Sequence, residues 1–501
     1  MIDIKTDKKL QLIKVDYVNR LDKIIITYKE VESGKKFQHI ISEPKVNYYY
    51  RDLNLEDTER LTYSKKDDLK KITVKYSSMI DDIVERLNNP KVSRFYQELI
   101  STGNKYNLRL IHALDYRLFS SDINIQDYYT SQFINQFHDD ETIYNITKGF
   151  FDIEVDTYEN QYMGFPREDI APCRINLITY YNKETHSLYI YALDNGQNES
   201  LTNFRDNLST KGVKFKKSLI KYFKKYNLHL PEDFKVYFKF YDNNELALIM
   251  GFLNNKNEHR LDILSGWNIK FDIITIQNRL LQHIHSECQF AKNYMYQNEM
   301  NRLFCGKKCK VKNSYFYVDV RSKDAADSGS YFSSTDYSLY LDQMIVYCAL
   351  RKQLGKEESE TLEYISNKVL KVGKVKFKGK ENIRNLAYLN YFKFVKYGAI
   401  DTLLLHFMEE KNDDLGQIYS LSLTTHTRPC KALKKTISLR NLYAEYLRKQ
   451  NLIISNNLNV SNTTKEKFRG GYVCDPLLNS NNGEVIEIWV LKLKVNFYIK
   501  M

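Results

Sequence analysis

The stretch Phe150-Phe151-Asp152-Ile153-Glu154-Val155 is a short apolar run interrupted by two acidic residues. In a β-strand, residues two apart point to the same face, so Asp152 and Glu154 are predicted to share one surface. Two further strand-like runs follow at residues 174–181 and 187–193, and a turn-like tetrapeptide separates them. Three such strands in series predict an antiparallel meander that carries a pair of carboxylates.

Helical and strand-like patterns alternate along the rest of the chain. After the meander, the sequence predicts helices over 201–226, 244–254, 271–282, 341–354 and 383–410 and strands over 235–241, 261–265 and 315–320. Before residue 120 it predicts a hairpin arm over 24–28, a turn over 32–34 and an amphipathic helix over 67–87. This alternation indicates a layered α/β (α+β) fold.

The composition excludes several classes of protein. With 43% hydrophobic and 14% aromatic residues in 501, the chain is neither disordered nor collagen-like. No apolar run is long enough for a membrane span and the first residues do not resemble a signal peptide, so we expect a cytoplasmic protein without membrane partners. Seven scattered cysteines are interpreted as reduced thiols. The net charge of +13 favours nucleic acid as a partner.

Acidic residues occur in apolar surroundings at three places. Asp152 and Glu154 form the first, Asp272 the second, and Asp401 the third, with Tyr397 one helical turn before it. Four carboxylates can hold two Mg²⁺ ions about 4 Å apart, which activate water and stabilise the leaving oxygen in phosphodiester hydrolysis. Tyr397 and Asp401 share a helix face, so the phenol could orient the attacking water.

These segments resemble, in order, the three exonuclease motifs of family B DNA polymerases of phage and viral type. The first motif is Asp152-Ile153-Glu154, followed by Phe165-Pro166. The second motif comprises residues 268–272, with Arg279 on the helix behind it, and the third comprises residues 397–401. The resemblance implies a ribonuclease-H-like proofreading domain of the DEDDy class.

The resemblance also implies a role for each matching residue. Four carboxylates would bind two Mg²⁺ (or Mn²⁺) ions: Asp152, Glu154, Asp272 and Asp401. Tyr397 would position the nucleophilic water, whereas Asn268 and Phe271 would contact the single-stranded 3′ end of DNA. The implied activity is that of a 3′→5′ exodeoxyribonuclease that proofreads during DNA replication.

The C-terminal part matches the family only to the beginning of the palm. Phe468-Arg469-Gly470-Gly471 resembles the linker that contacts the template, so Phe468, Gly470 and Gly471 are implied contacts with primer-template DNA. Residues 484–488 resemble the strand that leads to the first palm aspartate, but neither catalytic palm motif follows. We therefore expect that this chain has no polymerase active site. We also expect that the gene is interrupted or split and that a second polypeptide carries the palm.

Three domains are predicted on this basis. Residues 1–120 would form a β-rich N-terminal domain and 145–410 the ribonuclease-H-like exonuclease. Residues 411–501 would form a helical connector and an incomplete segment leading into the palm.

Two other functions stay open at this stage. The chain could be a non-catalytic, DNA-guiding subunit of a split polymerase, or a free-standing DEDDy nuclease acting on RNA.

Two local features also have alternatives. Asp342 is interpreted as a helix N-cap rather than a metal ligand. A second group could bind zinc or form a surface loop with free thiols, and the surface loop is favoured. Its residues are His283, His285, Cys288, Cys305 and Cys309.

Overall fold

A computed structural model describes most of the chain before residue 457. The described residues are 2–51, 61–88, 90–101, 117–122, 124–138, 145–284, 294–306, 309–311, 315–318, 322, 324–372 and 382–456. Residues 1–457 belong to one compact unit. The second unit, residues 458–501, lies outside the described residues. It contains Phe468, Gly470 and Gly471.

The N-terminal part is rich in strands. An antiparallel sheet consists of β1 (Leu10–Val18), β2 (Lys23–Glu30) and β3 (Lys36–Ser42). The chain continues through β4 (Lys45–Tyr50), β5 (Tyr63–Lys65), β6 (Lys70–Lys75), α1 (Met79–Leu87), α2 (Pro90–Ser101), β7 (Leu118–Phe119) and α3 (Ile125–Phe137). Strand β4 pairs with both β6 and β7.

One N-terminal prediction is confirmed and one is half wrong. The hairpin expected around residues 24–34 exists as β2 and β3. Only the second half of the helix predicted over 67–87 is helical, because residues 70–75 form β6 instead. Ile72 and Val74 are β-branched residues two apart, and both Thr73 between them and the flanking lysines are exposed. That alternation suits a strand, and pairing with the distant β4 stabilises it.

The central part alternates strands and helices. Its elements are β8 (Lys148–Val155), β9 (Ile175–Asn182), β10 (Ser187–Asp194), α4 (Glu199–Asp206), α5 (Leu208–Lys224), β11 (Lys235–Asp242), α6 (Glu245–His259), β12 (Ile263–Gly266) and α7 (Ile269–Ile284). The helix predicted over 201–226 is therefore two helices that meet at Asn207.

The remaining described elements are mostly helical. They are α8 (Tyr294–Cys305), β13 (Tyr315–Val318), β14 (Tyr331–Ser334), β15 (Leu339–Asp342), α9 (Gln343–Leu350), α10 (Leu362–Leu370), α11 (Ile383–Leu389), α12 (Tyr391–Asn412), α13 (Asp414–Thr424), α14 (Pro429–Ala432), α15 (Lys435–Lys449) and β16 (Leu452–Ile454). The long helix predicted over 383–410 is interrupted at Asn390, whose side chain caps α12.

Six strands form one mixed sheet in the order β11-β10-β9-β8-β12-β15. Strand β9 runs antiparallel to both β8 and β10, which confirms the predicted meander. Strand β12 runs parallel to its neighbours β8 and β15, and β11 runs parallel to β10. The mixed α/β class predicted from the sequence is therefore confirmed.

Helices cover both faces of this sheet. Phe150 of β8 belongs to the same buried cluster as Ala399 and Ile400 of α12. The next residue, Phe151, packs on the opposite face, where its ring centroid lies 5.4 Å from that of Phe252 of α6. Because successive residues of a strand point to opposite faces, β8 is buried on both sides and can hold its own acidic residues rigidly.

Among the helices of the described ranges, none is both long enough and apolar enough to span a bilayer.

Candidate active site

Three parallel strands bring the acidic motifs to one edge of the sheet. Strands β8, β12 and β15 run in the same direction, with Ser265 opposite Phe150 and Gly266 opposite Asp342. Their carboxyl ends therefore meet at one edge, where ligand sites of open α/β sheets occur. Asp152 and Glu154 lie near this end of β8. Asp272 lies in the first turn of α7, just after β12.

Helix α12 brings Asp401 to the same place because it packs closely against the sheet at Gly398. Thr179, the register partner of Asp152 on β9, donates a hydrogen bond to the Gly398 carbonyl at 3.2 Å. Its Oγ1 lies 2.6 Å from Oγ1 of Thr402. A Cβ on Gly398 would lie 2.9 Å from a Leu177 methyl carbon, so only glycine allows this approach without a shift. Asp401, next to Thr402, thus reaches Asp152.

Three carboxylates converge tightly as a result. One oxygen each from Asp152, Glu154 and Asp401 lies within 4.8 Å of the other two. Asp401 is buried, whereas Asp152 and Glu154 are half-buried. Carboxylate oxygens are the ligands that Mg²⁺ and Mn²⁺ prefer, and like charges so close together repel unless a cation lies between them. This donor set fits a divalent metal ion.

Asp272 adds a fourth carboxylate with unusual surroundings. It is buried, it accepts a hydrogen bond from the backbone of Ile153, and its Oδ2 has no hydrogen-bond partner among the described residues. Burial raises the pKa of Asp272 well above its usual value, and the negative charges of Asp152 and Asp342 raise it further. A bound cation would supply the charge and the contact that Oδ2 lacks.

Asp342 positions this part of the site. As predicted, it caps a helix, accepting a hydrogen bond from the Met344 backbone of α9 at 3.0 Å. It also accepts hydrogen bonds from the backbone N–H groups of Asn268 (3.2 Å) and Ile269 (3.1 Å), where α7 begins. Burial raises the pKa of Asp342 to about 6, although these backbone hydrogen bonds oppose the shift. One carboxylate therefore fixes the start of two helices and, through α7, the place of Asp272.

A cleft of about 720 Å³ opens over the carboxylates. Every predicted site residue within the described ranges lines it: Asp152, Glu154, Asn268, Phe271, Asp272, Tyr397 and Asp401. The ring of Phe271 lies 4.9 Å from that of Phe165, which is 74% exposed. An acidic cluster beside exposed aromatic rings can accommodate a metal-bound phosphate next to a base.

Asn268 has a backbone conformation that sequence reasoning did not anticipate. Its φ of +57° lies in the left-handed region, where asparagine is favoured among residues other than glycine. Its carbonyl accepts a hydrogen bond from the Phe271 N–H at 3.0 Å, which closes the turn between β12 and α7. The turn brings Asn268 and Phe271 to the same cleft wall.

The residues considered for zinc are occupied in other ways. His283 Nε2 lies 2.8 Å from Oε2 of Glu245, which also binds the guanidinium of Arg279. Cys305 and Cys309 are free thiols, as predicted, but both are buried, so the prediction that they lie in a surface loop is wrong. His285 and Cys288 lie outside the described residues. Within the described ranges, only Asp152, Glu154 and Asp401 form a group of three potential metal ligands.

Sequence comparison places the chain near one class of enzyme. No protein-family model matches the chain. It is similar to the DNA-directed DNA polymerase of Escherichia phage RB69, with 24% identity over 343 residues. The match covers 66% of this chain but 32% of the relative, so the chain spans about a third of the length of that polymerase. The similarity supports a distant relationship to a phage DNA polymerase.

Proposed function

We propose that this chain is a two-metal 3′→5′ exonuclease that removes nucleotides from DNA as the proofreading part of a family B DNA polymerase. The observation that carries the proposal is the convergence of Asp152, Glu154 and Asp401 within 4.8 Å, beside the buried Asp272. A mixed sheet with helices on both faces, and with Asp152 and Glu154 on its inner strand β8, supports a ribonuclease-H-like domain.

The proposed reaction gives each of these side chains a role. Asp152, Glu154, Asp272 and Asp401 would hold two Mg²⁺ or Mn²⁺ ions. When bound, these ions supply a water of lowered pKa and stabilise the charge on the phosphate and leaving oxygen. The Tyr397 hydroxyl orients the attacking water. Asn268 and Phe271 hold the 3′-terminal nucleotide against the cleft wall, by an amide hydrogen bond and by ring packing.

DNA rather than RNA is the proposed substrate because the relative is a DNA polymerase. A second polypeptide carrying the polymerase palm stays a prediction, which copurification with this chain would test. The contacts of Phe468, Gly470 and Gly471 with primer-template DNA also stay predictions, since these residues lie outside the described ranges.

The direct test is degradation of a 5′-labelled single-stranded DNA by the purified chain with Mg²⁺. The wild type should produce a ladder that shortens from the 3′ end, and EDTA should stop it. The double variant Asp152→Ala, Glu154→Ala should produce no ladder. The control Glu32→Ala, at an exposed acid of the β2–β3 turn, should behave like the wild type.

Two results would contradict the proposal in different ways. A folded wild-type chain that binds DNA without degrading it would favour the non-catalytic, DNA-guiding role. Faster degradation of an RNA of the same sequence would favour a ribonuclease, because the bound 3′ nucleotide would then be selected by its 2′-hydroxyl.

A further inference from the structure

A second groove lies beside the cleft and has no role in the chemistry proposed above. This side groove has a volume of about 670 Å³, and its lining includes Tyr158, Gln161, Gln197, Arg384 and Tyr388. Arg384 also lines the cleft that holds the carboxylates. The two cavities therefore share Arg384 as a lining residue. A polymeric ligand that leaves the cleft on that side would pass Arg384.

Arg384 has unused hydrogen-bonding capacity at this junction. Its Nη1 lies 3.3 Å from the sulfur of Met163, and a thioether is a weak acceptor. Its Nε is buried without a hydrogen-bond partner, and within the described part of the chain no carboxylate pairs with its guanidinium. A guanidinium with this charge and these donors is suited to bind a phosphate group.

Among the described residues, the acids near the groove form no ion pair with Arg384. Glu159 is paired with Arg174, whose Nε lies 2.9 Å from its Oε2. Asp156 accepts a hydrogen bond from the Tyr388 hydroxyl at 2.6 Å. Both carboxylates thus have partners of their own, and a phosphate at Arg384 would not meet an unpaired acid there.

The groove also offers an aromatic face. The rings of Tyr158 and Tyr388 lie 4.7 Å apart at 39°, and Tyr158 is 48% exposed. The Tyr388 hydroxyl is fixed between Asp156 and the Asn195 amide, which donates to it at 2.8 Å. A ring backed by a fixed neighbour gives a base a rigid surface to stack on, whatever the base is.

We propose that the side groove binds the nucleotides of single-stranded DNA that precede the 3′ end. Arg384 contacts the backbone phosphate where the strand leaves the cleft, and Tyr158 stacks on the next base. This inference rests on the proposed exonuclease function, because it assumes that the 3′ nucleotide lies at the carboxylates. It adds two DNA-binding residues and the path of the strand.

The test compares a substrate that fills only the cleft with one that reaches the groove. We would measure kcat and KM for thymidine 5′-(p-nitrophenyl) phosphate and for a 12-nucleotide single-stranded DNA. Arg384→Ala and Tyr158→Ala should each raise KM for the oligonucleotide about tenfold more than for the ester, since each removes one charged hydrogen bond or one stacked base. Arg384→Lys should restore part of the loss.

Matched controls separate this effect from a general loss of charge or ring. Arg167→Ala removes an exposed arginine that is paired with Asp169. Tyr237→Ala removes a tyrosine of similar exposure (43%) on the edge strand β11. Neither control should change the ratio of the two KM values.

A binding measurement distinguishes failure of this inference from failure of the proposed function. In EDTA, fluorescence anisotropy would report the affinity for 2- and 12-nucleotide DNA without hydrolysis. Loss of affinity confined to the longer DNA would support the groove even if the wild type hydrolysed neither substrate, a result that would overturn the nuclease assignment alone. Equal effects of Arg384→Ala and Tyr158→Ala on both lengths, or no effect, would overturn the groove.

Discussion

Two buried aspartates only ten positions apart have opposite surroundings. Asp262, before β12, has one lysine Nζ on each oxygen, from Lys29 and from Lys36, both at 2.6 Å. Asp272, after β12, has no lysine or arginine within 4 Å among the described residues. Burial alone would raise the pKa of Asp262, but the two lysines outweigh it and hold the pKa below its usual value. The pKa of Asp272 is raised instead.

The same contrast extends to a second structural acid. Asp336 is fully buried and paired with Lys256 at 2.9 Å and Lys14 at 3.7 Å. The lysines that neutralise Asp262 and Asp336 include residues of β1, β2 and β3, so these ion pairs join the N-terminal sheet to the central part. The fold supplies lysines to the buried structural acids Asp262 and Asp336. It leaves Asp272 without a cationic partner among the described residues, as expected where a metal ion binds.

The largest expected effect concerns the acids of the candidate active site. Asp272→Asn and Asp401→Asn should each lower the rate of DNA hydrolysis about 10³-fold, because each removes a metal ligand and several kcal/mol of transition-state stabilisation. Single-turnover degradation of labelled DNA measures this. DNA binding in EDTA should change little. Either variant retaining full activity would contradict the assignment of that residue.

Asp262→Asn should instead lower stability without removing a ligand. It leaves Lys29 and Lys36 buried without their shared acid, so the free energy of unfolding should fall by about 3–5 kcal/mol. Urea unfolding in EDTA measures this, with Asp272→Asn as the isosteric control at a similarly buried site. If Asp272→Asn were the more destabilising of the two, the contrast between structural and metal-binding acids would be wrong.

A smaller effect is expected for the tyrosine that positions water. Tyr397→Phe should reduce kcat roughly 10- to 100-fold, because the water loses one orienting hydrogen bond while the metal ligands stay in place. Affinity for Mn²⁺, measured by calorimetry, should not change. A fall in Mn²⁺ affinity as large as the fall in kcat would show that Tyr397 acts on the metal site and not on the water.

A further expected effect is a dependence of stability on pH. Since the pKa of Asp272 is raised on folding, the native protein binds a proton that the unfolded chain has released, and its stability falls as pH rises above about 4. Without metal, this contribution has a slope of at most about 1.4 kcal/mol per pH unit. Urea unfolding in EDTA from pH 4 to 7 should show that Asp272→Asn removes this part of the slope.

Asp262 should show the opposite sign in the acid range. Its pKa is lowered on folding, so its contribution is present above the unfolded pKa of about 4 and is lost as pH falls through the folded value. Asp262→Asn should remove that acid-side loss and leave the slope between pH 4 and 7 unchanged. The two profiles together check the sign assigned to each aspartate.

The local pairs of site residues could be predicted from the sequence. Asp152 and Glu154 are two residues apart on a strand, and Tyr397 and Asp401 are four apart on a helix, so periodicity alone places each pair on one face. All four line the same cleft, together with Asn268, Phe271 and Asp272. The resemblance to family B DNA polymerases predicts that these short motifs form one site.

Contacts between residues far apart in the sequence could not be predicted in this way. Lys29 and Asp262 are separated by 233 positions, and nothing in either local pattern shows that they meet. The strand β6 was predicted as helix because its partner β4 lies far from it in sequence. Thr179 and Gly398 set the approach of α12 to the sheet, and Arg384 joins two cavities. Each of these depends on tertiary packing, which residue spacing does not encode.

The central claim is that the acids around Asp272 hold divalent metal ions. Anomalous diffraction from a crystal soaked in Mn²⁺ and thymidine monophosphate tests it most directly. We expect two peaks about 4 Å apart, bounded by Asp152, Glu154, Asp272 and Asp401, and no peak at Asp262. Well-ordered carboxylates with no anomalous peak between them would contradict the account.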